Sequence, residues 1–210
     1  MAESAVFLDR DGTVVEEAGY LDDAEGMVIY GEALDAVQLI REVGMRVVVV
    51  TNQSGLARGL FSEKTLHEIH DGLREAFLHQ GSPLDAIYFC PHHPQAEVAQ
   101  YRRHCNCRKP EPGLLRRAAE ALGIDLARSY MIGDKLSDIV AGHRAGCKAA
   151  ILVETGQGAQ SVSQLEERKP SRSASTGNRR PLGQPEHVAS DILQAAQWIL
   201  EDRRVPRDDD

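Results

Sequence analysis

Five short apolar runs alternating with helix-patterned stretches predict an α/β fold with a mostly parallel central sheet. Two further observations support this. Several runs pass directly into polar or acidic residues, as where loops at the carboxyl ends of parallel strands build a site. The chain is 210 residues long, which suits one domain with one large core.

The first run lies in Ala5 to Gly12, AVFLDRDG, where apolar residues lead into two acids and a glycine turn. Side chains alternate along an extended backbone, so Asp9 and Asp11 are expected on the same side of the strand end. Two acids sharing a site need a divalent cation or a retained proton, and one of them can then attack phosphorus while the other moves a proton. Residues Thr13 to Tyr30 lack a regular period and read as a long loop, with Glu17, Ala18, Gly19 and Tyr20 as candidates for touching substrate.

From Glu32 to Val43, Ala33, Val37 and Ile40 recur near helical spacing and Gly44 marks the end. Arg46 to Val50 then contains four consecutive valines, a strand buried on both faces. It runs into Thr51-Asn52-Gln53-Ser54, which places Thr51 beside Asp9, either as a phosphate-holding hydroxyl or as an ordinary turn residue. Ser62 caps a helix from Glu63 to His79 whose histidines, His67, His70 and His79, are read as solvated.

Ala86 to Phe89 is the next strand, followed by Cys90-Pro-His92 and, after twelve intervening residues, Cys105-Asn-Cys107. Three thiols and one imidazole form the tetrahedral donor set that zinc prefers, and a four-ligand site is closed and structural. His93 and His104 are alternatives to His92. Such a site would fold the Pro91 to His104 loop, which has few apolar residues. Arg108 and Lys109 follow the last thiol, oriented cations suited to a phosphate and its transition state. Pro112 opens a helix through Leu122 that Gly123 closes.

Tyr130 to Ile132 is a strand that ends in Gly133-Asp134-Lys135, so Asp134 joins the Asp9 and Asp11 edge as a third carboxylate for a hard cation. Asp138 begins a helix ending near Gly146, and it either reaches the metal through water or caps the helix. Cys147 reads as a core thiol ahead of the strand Ala149 to Val153. Residues 157–186 are poor in apolar side chains and rich in Ser, Arg, Gln, Gly and Pro, which predicts a flexible insertion. A last helix is expected from Val188 to Leu200.

With 24 basic against 32 acidic residues the net charge is -8, which disfavours a nucleic-acid or anionic-membrane surface and points to small-molecule partners. No signal-like segment and no apolar run of membrane-spanning length stands out, so the expectation is a cytoplasmic protein. The absence of an evident apolar surface stripe suggests a monomer.

In sequence order, FLDRDGT, VVVVTN, RKP and MIGDKLSD resemble the four motifs of the haloacid dehalogenase-like phosphohydrolases, over about Phe7 to Gly156. GLARGLFSE, CPHHPQ and CNCRKPEPG are similar to its heptose-bisphosphate phosphatase branch, which is related to histidinol-phosphate phosphatases. The resemblance implies a single Rossmann-like three-layer domain over residues 1–210, its cap reduced to loops that include a zinc-bound loop at 90–107. It implies removal of the C7 phosphate of a heptose bisphosphate through an aspartyl-phosphate, on the way to ADP-heptose or GDP-heptose for surface glycans. Asp9 would be the nucleophile and Asp11 the acid and base. Magnesium would sit on Asp9, the Asp11 carbonyl and Asp134, and zinc on Cys90, His92, Cys105 and Cys107. Thr51 and Lys109 would hold the phosphoryl group and Arg108 would recognise substrate. Glu17 to Tyr20, Thr51 to Ser54 and Lys135 would line the sugar site. Histidinol phosphate is the rival substrate, and a non-catalytic phosphate-binding module is the rival class.

Overall fold

The computed structural model describes residues 2–17, 19, 26–167 and 181–204. Six strands form one all-parallel sheet: β1 (Ala5–Leu8), β2 (Arg46–Asn52), β3 (Ala86–Cys90), β4 (Tyr130–Gly133), β5 (Ala149–Val153) and β6 (His187–Ala189), in the order β3-β2-β1-β4-β5-β6. Alternation along each strand feeds two cores. Val6, Leu8, Val47, Val49 and Ile151 face one layer, with α1 (Gly31–Glu42), α3 (Glu63–His79) and α7 (Ile192–Arg204) packed on it. Ala5, Phe7, Val48, Val50 and Leu152 face the other, covered by α4 (Gly113–Leu122), α5 (Leu136–Ala145) and α6 (Gly158–Glu167). A four-residue helix, α2 (Ser54–Ala57), follows β2. The three layers match the expected architecture.

Register explains why the site forms where it does. Leu8 of β1 lies opposite Val49 of β2 and Ile132 of β4. One residue further, Asp9 is level with Val50 and Gly133, one step short of Thr51 and Asp134. The central strand therefore delivers its acid into a notch between two neighbours.

Helix caps follow sequence closely. The Ser62 hydroxyl accepts from Thr65 N at 3.1 Å to start α3, and Gly123 ends α4 in the left-handed region at φ 66°. Three expectations need correction. The flexible insertion expected at 157–186 is helical over Gly158–Glu167. That helix is docked rather than self-stabilised: Ser161 is buried, its hydroxyl donates to Asp134 O at 2.9 Å, and Val162 and Leu165 pack on the second core. Residues 168–180 lie outside the described residues. The helix expected from Val188 begins at Ile192, because His187–Ala189 pairs with β5 as an edge strand. His70, expected in solvent, is buried.

Candidate active site

Asp9, Asp134 and Asp138 converge at the sheet's carboxyl edge, each offering an oxygen within 4.8 Å of the others, and all three are buried. Asp138 arrives from the first turn of α5, where its Oδ2 accepts from Lys135 N at 3.0 Å as part of a capping box, while the same carboxylate reaches the acidic cluster. Its Oδ1 meets Lys109 Nζ at 2.7 Å. The same ammonium lies 2.8 Å from Asp9 Oδ1 and donates to Val50 O at 2.8 Å. Asn52 places this lysine: its side chain donates to Lys109 O and accepts from Lys109 N, both at 3.0 Å.

Lys109, with Lys135 at 3.6 Å from Asp134 Oδ2, does not balance three buried acids. Burial, reinforced by the Asp9 charge, pushes Asp134 up to about 7. Burial also pushes Asp138 up to about 6 against the pull of Lys109. Burial would lower Lys109, but the Asp138 and Asp9 charges outweigh it and hold it above its ordinary value. Asp134 Oδ2 accepts from Gln157 N at 2.8 Å, whereas its buried Oδ1 has no hydrogen-bond partner among the described residues. Gly12 and Gly156, at φ 80° and 57°, press against this carboxylate, and a Cβ on either would lie 2.3 or 2.5 Å from Asp134 Oδ2. Hard oxygens, surplus negative charge and an orphaned acceptor are what a divalent cation requires.

Asp11 does not join this cluster. Its carboxylate is gripped by Arg10, with Nε to Oδ1 at 2.9 Å and Nη2 to Oδ2 at 3.0 Å, and Gln53 Nε2 donates to Oδ2 at 2.9 Å. The same amide donates to Thr51 Oγ1 at 2.8 Å, so Thr51 and Asp11 are linked through Gln53. A cavity of about 490 Å³ opens beside them, lined by Asp11, Glu17, Gly19, Asn52, Gln53, Ser54 and the cations Arg10, Arg108, Lys109 and Lys135. Lys135 bonds Glu17 at 2.9 Å across its rim; burial would lower this lysine, but the Asp9 and Asp134 charges and Glu17 raise it. Ala18 and Tyr20 lie outside the described residues.

Cys90, His92, Cys105 and Cys107 form a second cluster. Cys107 Sγ lies 3.2 Å from Cys90 Sγ, 3.3 Å from Cys105 Sγ and 3.3 Å from His92 Nδ1, and Cys90 Sγ is 3.6 Å from Cys105 Sγ. Tetrahedral zinc with bonds of about 2.3 Å spaces its sulfurs by about 3.8 Å, so the donors fit that ion with a small expansion. Hydrogen bonding from Cys90 lowers the Cys107 thiol, while the same contact and burial raise Cys90. His92 is the histidine that faces the thiols. His93 instead accepts from Gln95 N at 3.1 Å, and His104 is exposed. Arg108 Nη1 donates to His92 O at 3.3 Å, which ties the cluster to the cavity.

The haloacid dehalogenase-like hydrolase family model matches residues 8–146, and an HAD-hydrolase-like one matches residues 106–195. The chain belongs to the haloacid dehalogenase-like hydrolases. It is 43% identical over 153 residues to the D-glycero-beta-D-manno-heptose-1,7-bisphosphate 7-phosphatase of Yersinia pestis, covering 73% of this chain and 81% of that protein. The enzyme of the same name from Escherichia coli K12 is 43% identical over 159 residues, covering 75% of this chain and 83% of that protein. The crystal structure of the D,D-heptose 1,7-bisphosphate phosphatase from B. bronchiseptica, complexed with magnesium and phosphate, superposes with a TM-score of 0.77 at 34% identity. That match covers 95% of this chain and 99% of that one.

Within this haloacid dehalogenase-like site, two features were not expected from sequence. Arg10, between the two acids of the first motif, is fully buried and organises Asp11. A basic residue inside an otherwise apolar and acidic strand end was the available signal. Gln157 and Ser161, inside the expected flexible segment, hold Asp134 by its carboxylate and its carbonyl. No helix among the described residues is long and apolar enough to cross a membrane.

Proposed function

We propose that this hydrolase is a cytoplasmic, monomeric phosphatase that removes the C7 phosphate of D-glycero-β-D-manno-heptose 1,7-bisphosphate in a nucleotide-heptose precursor pathway. The observation that carries this reading is the pairing of a carboxylate notch with a cavity bordered by Arg108, Lys109 and Lys135. A substrate with a phosphate at each end needs cations beyond those at the reacting centre, and Arg108 at the cavity wall is one. The Yersinia and Escherichia relatives support the sugar and the β anomer by their names.

Asp9 is the nucleophile. Its carboxylate attacks phosphorus and forms an aspartyl-phosphate as the bond to the C7 oxygen breaks. Lys109 and the Thr51 hydroxyl hold the phosphoryl oxygens, and the lysine offsets repulsion between carboxylate and phosphate. Asp11 gives a proton to the departing sugar oxygen. It then takes one from the water that attacks the aspartyl-phosphate, which releases phosphate and restores Asp9. Magnesium held by Asp9, Asp134 and the Asp11 carbonyl would neutralise phosphoryl charge through the reaction. Glu17, Gly19, Asn52, Gln53, Ser54 and Lys135 line the sugar site. Zinc on Cys90, His92, Cys105 and Cys107 would hold the loop that leads into Arg108.

The test is phosphate release in the presence of magnesium from the β and α anomers of the heptose bisphosphate and from histidinol phosphate. The β anomer should give a kcat/KM at least roughly tenfold above histidinol phosphate, since only the bisphosphate can engage Arg108 with a second phosphate, and it should exceed the α anomer, in line with the names of the Yersinia and Escherichia relatives. A preference for histidinol phosphate would overturn the substrate assignment.

A further inference from the structure

Arg10 is a fully buried arginine with three side-chain partners, Asp11, Gln53 and His70. Nε and Nη2 grip Asp11, Nη2 also donates to Gln53 Oε1 at 3.1 Å, and Nη1 lies 3.3 Å from His70 Nε2. His70 comes from the middle of α3 and touches neither the cavity nor the carboxylate notch. It is packed against Phe89, with ring centroids 5.6 Å apart. Burial and the nearby Arg10 charge push it down to about 3, so its ring is neutral and Nε2 accepts from the guanidinium.

We infer that His70 is a positioning residue for Asp11, acting through Arg10. The inference rests on the acid–base role proposed for Asp11. Asp11 stands just past the end of β1. Its orientation comes from Arg10 and Gln53 alone among the described hydrogen bonds. A guanidinium is planar, so an acceptor at Nη1 sets the plane in which Nε and Nη2 present themselves to Asp11. His70 supplies that acceptor from a helix packed on the core. Without it, a buried N–H loses its partner and the fork can tilt, and a misdirected acid–base group costs rate rather than substrate binding.

Three variants test this. His70→Leu removes the acceptor while keeping an apolar packing volume. His70→Gln places an amide oxygen near the Nε2 position, and His70→Asn is polar but too short to reach. His70→Leu and His70→Asn should lower kcat roughly tenfold with KM within about twofold, and His70→Gln should recover most of the loss. Crystal structures should show Asp11 in one orientation in the wild type and His70→Gln, and in more than one in His70→Leu. The inference is overturned if Asp11 keeps its single orientation in His70→Leu, if kcat stays within twofold in the folded Leu and Asn variants, or if His70→Gln is as slow as they are. If the wild type releases no phosphate from the heptose bisphosphate, the functional reading fails, and the Asp11 orientations still decide this inference.

Discussion

The carboxylate notch and the sulfur cluster lie on either side of Arg108 and are built in opposite ways. Asp9, Thr51 and Asp134 sit at or next to the ends of three neighbouring strands, and the sheet register brings them together before any ligand is present. The sulfur cluster anchors a loop over residues 91–106 in which Ala96 is the one buried apolar residue and short local bonds, such as His93 N to Tyr101 O at 3.1 Å, provide the rest. Backbone hydrogen bonds and two apolar cores hold the first site. The second is held by its own donors, so a metal there is part of the fold, whereas a metal at the notch is a reagent held by a finished scaffold.

The comparison predicts which losses are chemical and which structural. The largest effect belongs to Asp9→Asn, which should lower kcat by roughly 10⁴-fold or more while circular dichroism and melting remain near those of the wild type. A large drop in melting temperature would show that the notch also carries the fold. Next comes removal of the zinc proposed at the sulfur cluster. Chelation should destabilise the protein by roughly 3 kcal/mol or more and make it sensitive to trypsin at Arg102, Arg103 and Arg108, with KM rising more than kcat falls. Unchanged digestion after verified metal loss would mean that the loop holds itself.

The magnesium dependence sharpens the contrast through its sign. Asp134 and Asp138 are raised, to about 7 and about 6, so the metal-free fold keeps protons that the unfolded chain has released. Stability of the metal-free protein should therefore decline as pH rises from about 4 to 7. Magnesium must displace the Asp134 proton, so its affinity should weaken by roughly twentyfold between pH 7.5 and 5.5, as calorimetry would show. The smallest effect is Ser161→Ala. Loss of its bond to Asp134 O should cost about 1 kcal/mol in urea unfolding.

Legibility followed the same divide. β1, β2, β4 and β5 were readable because buried parallel strands are continuous apolar runs, and α3 and α4 because their caps are local. β6 was not, since three residues become a strand only by pairing with β5. α6 was hidden by its polar composition, because its stability comes from docking on Asp134 and the second core. His70 looked like surface because its partner, Arg10, is sixty residues away in sequence. The four sulfur-cluster donors were readable as a group because donor type and spacing are local, whereas the choice of His92 over His93 and His104 needed side-chain direction.

By itself, then, the sequence determined the order of the elements, the donor types and the family motifs, all of which depend on residues near one another along the chain. Tertiary structure decided which acids share a site. Asp138 joined Asp9 and Asp134, while Asp11 turned to Arg10 and Gln53. Those pairings depend on the distance between strand ends and helix starts far apart in sequence, which local pattern does not encode.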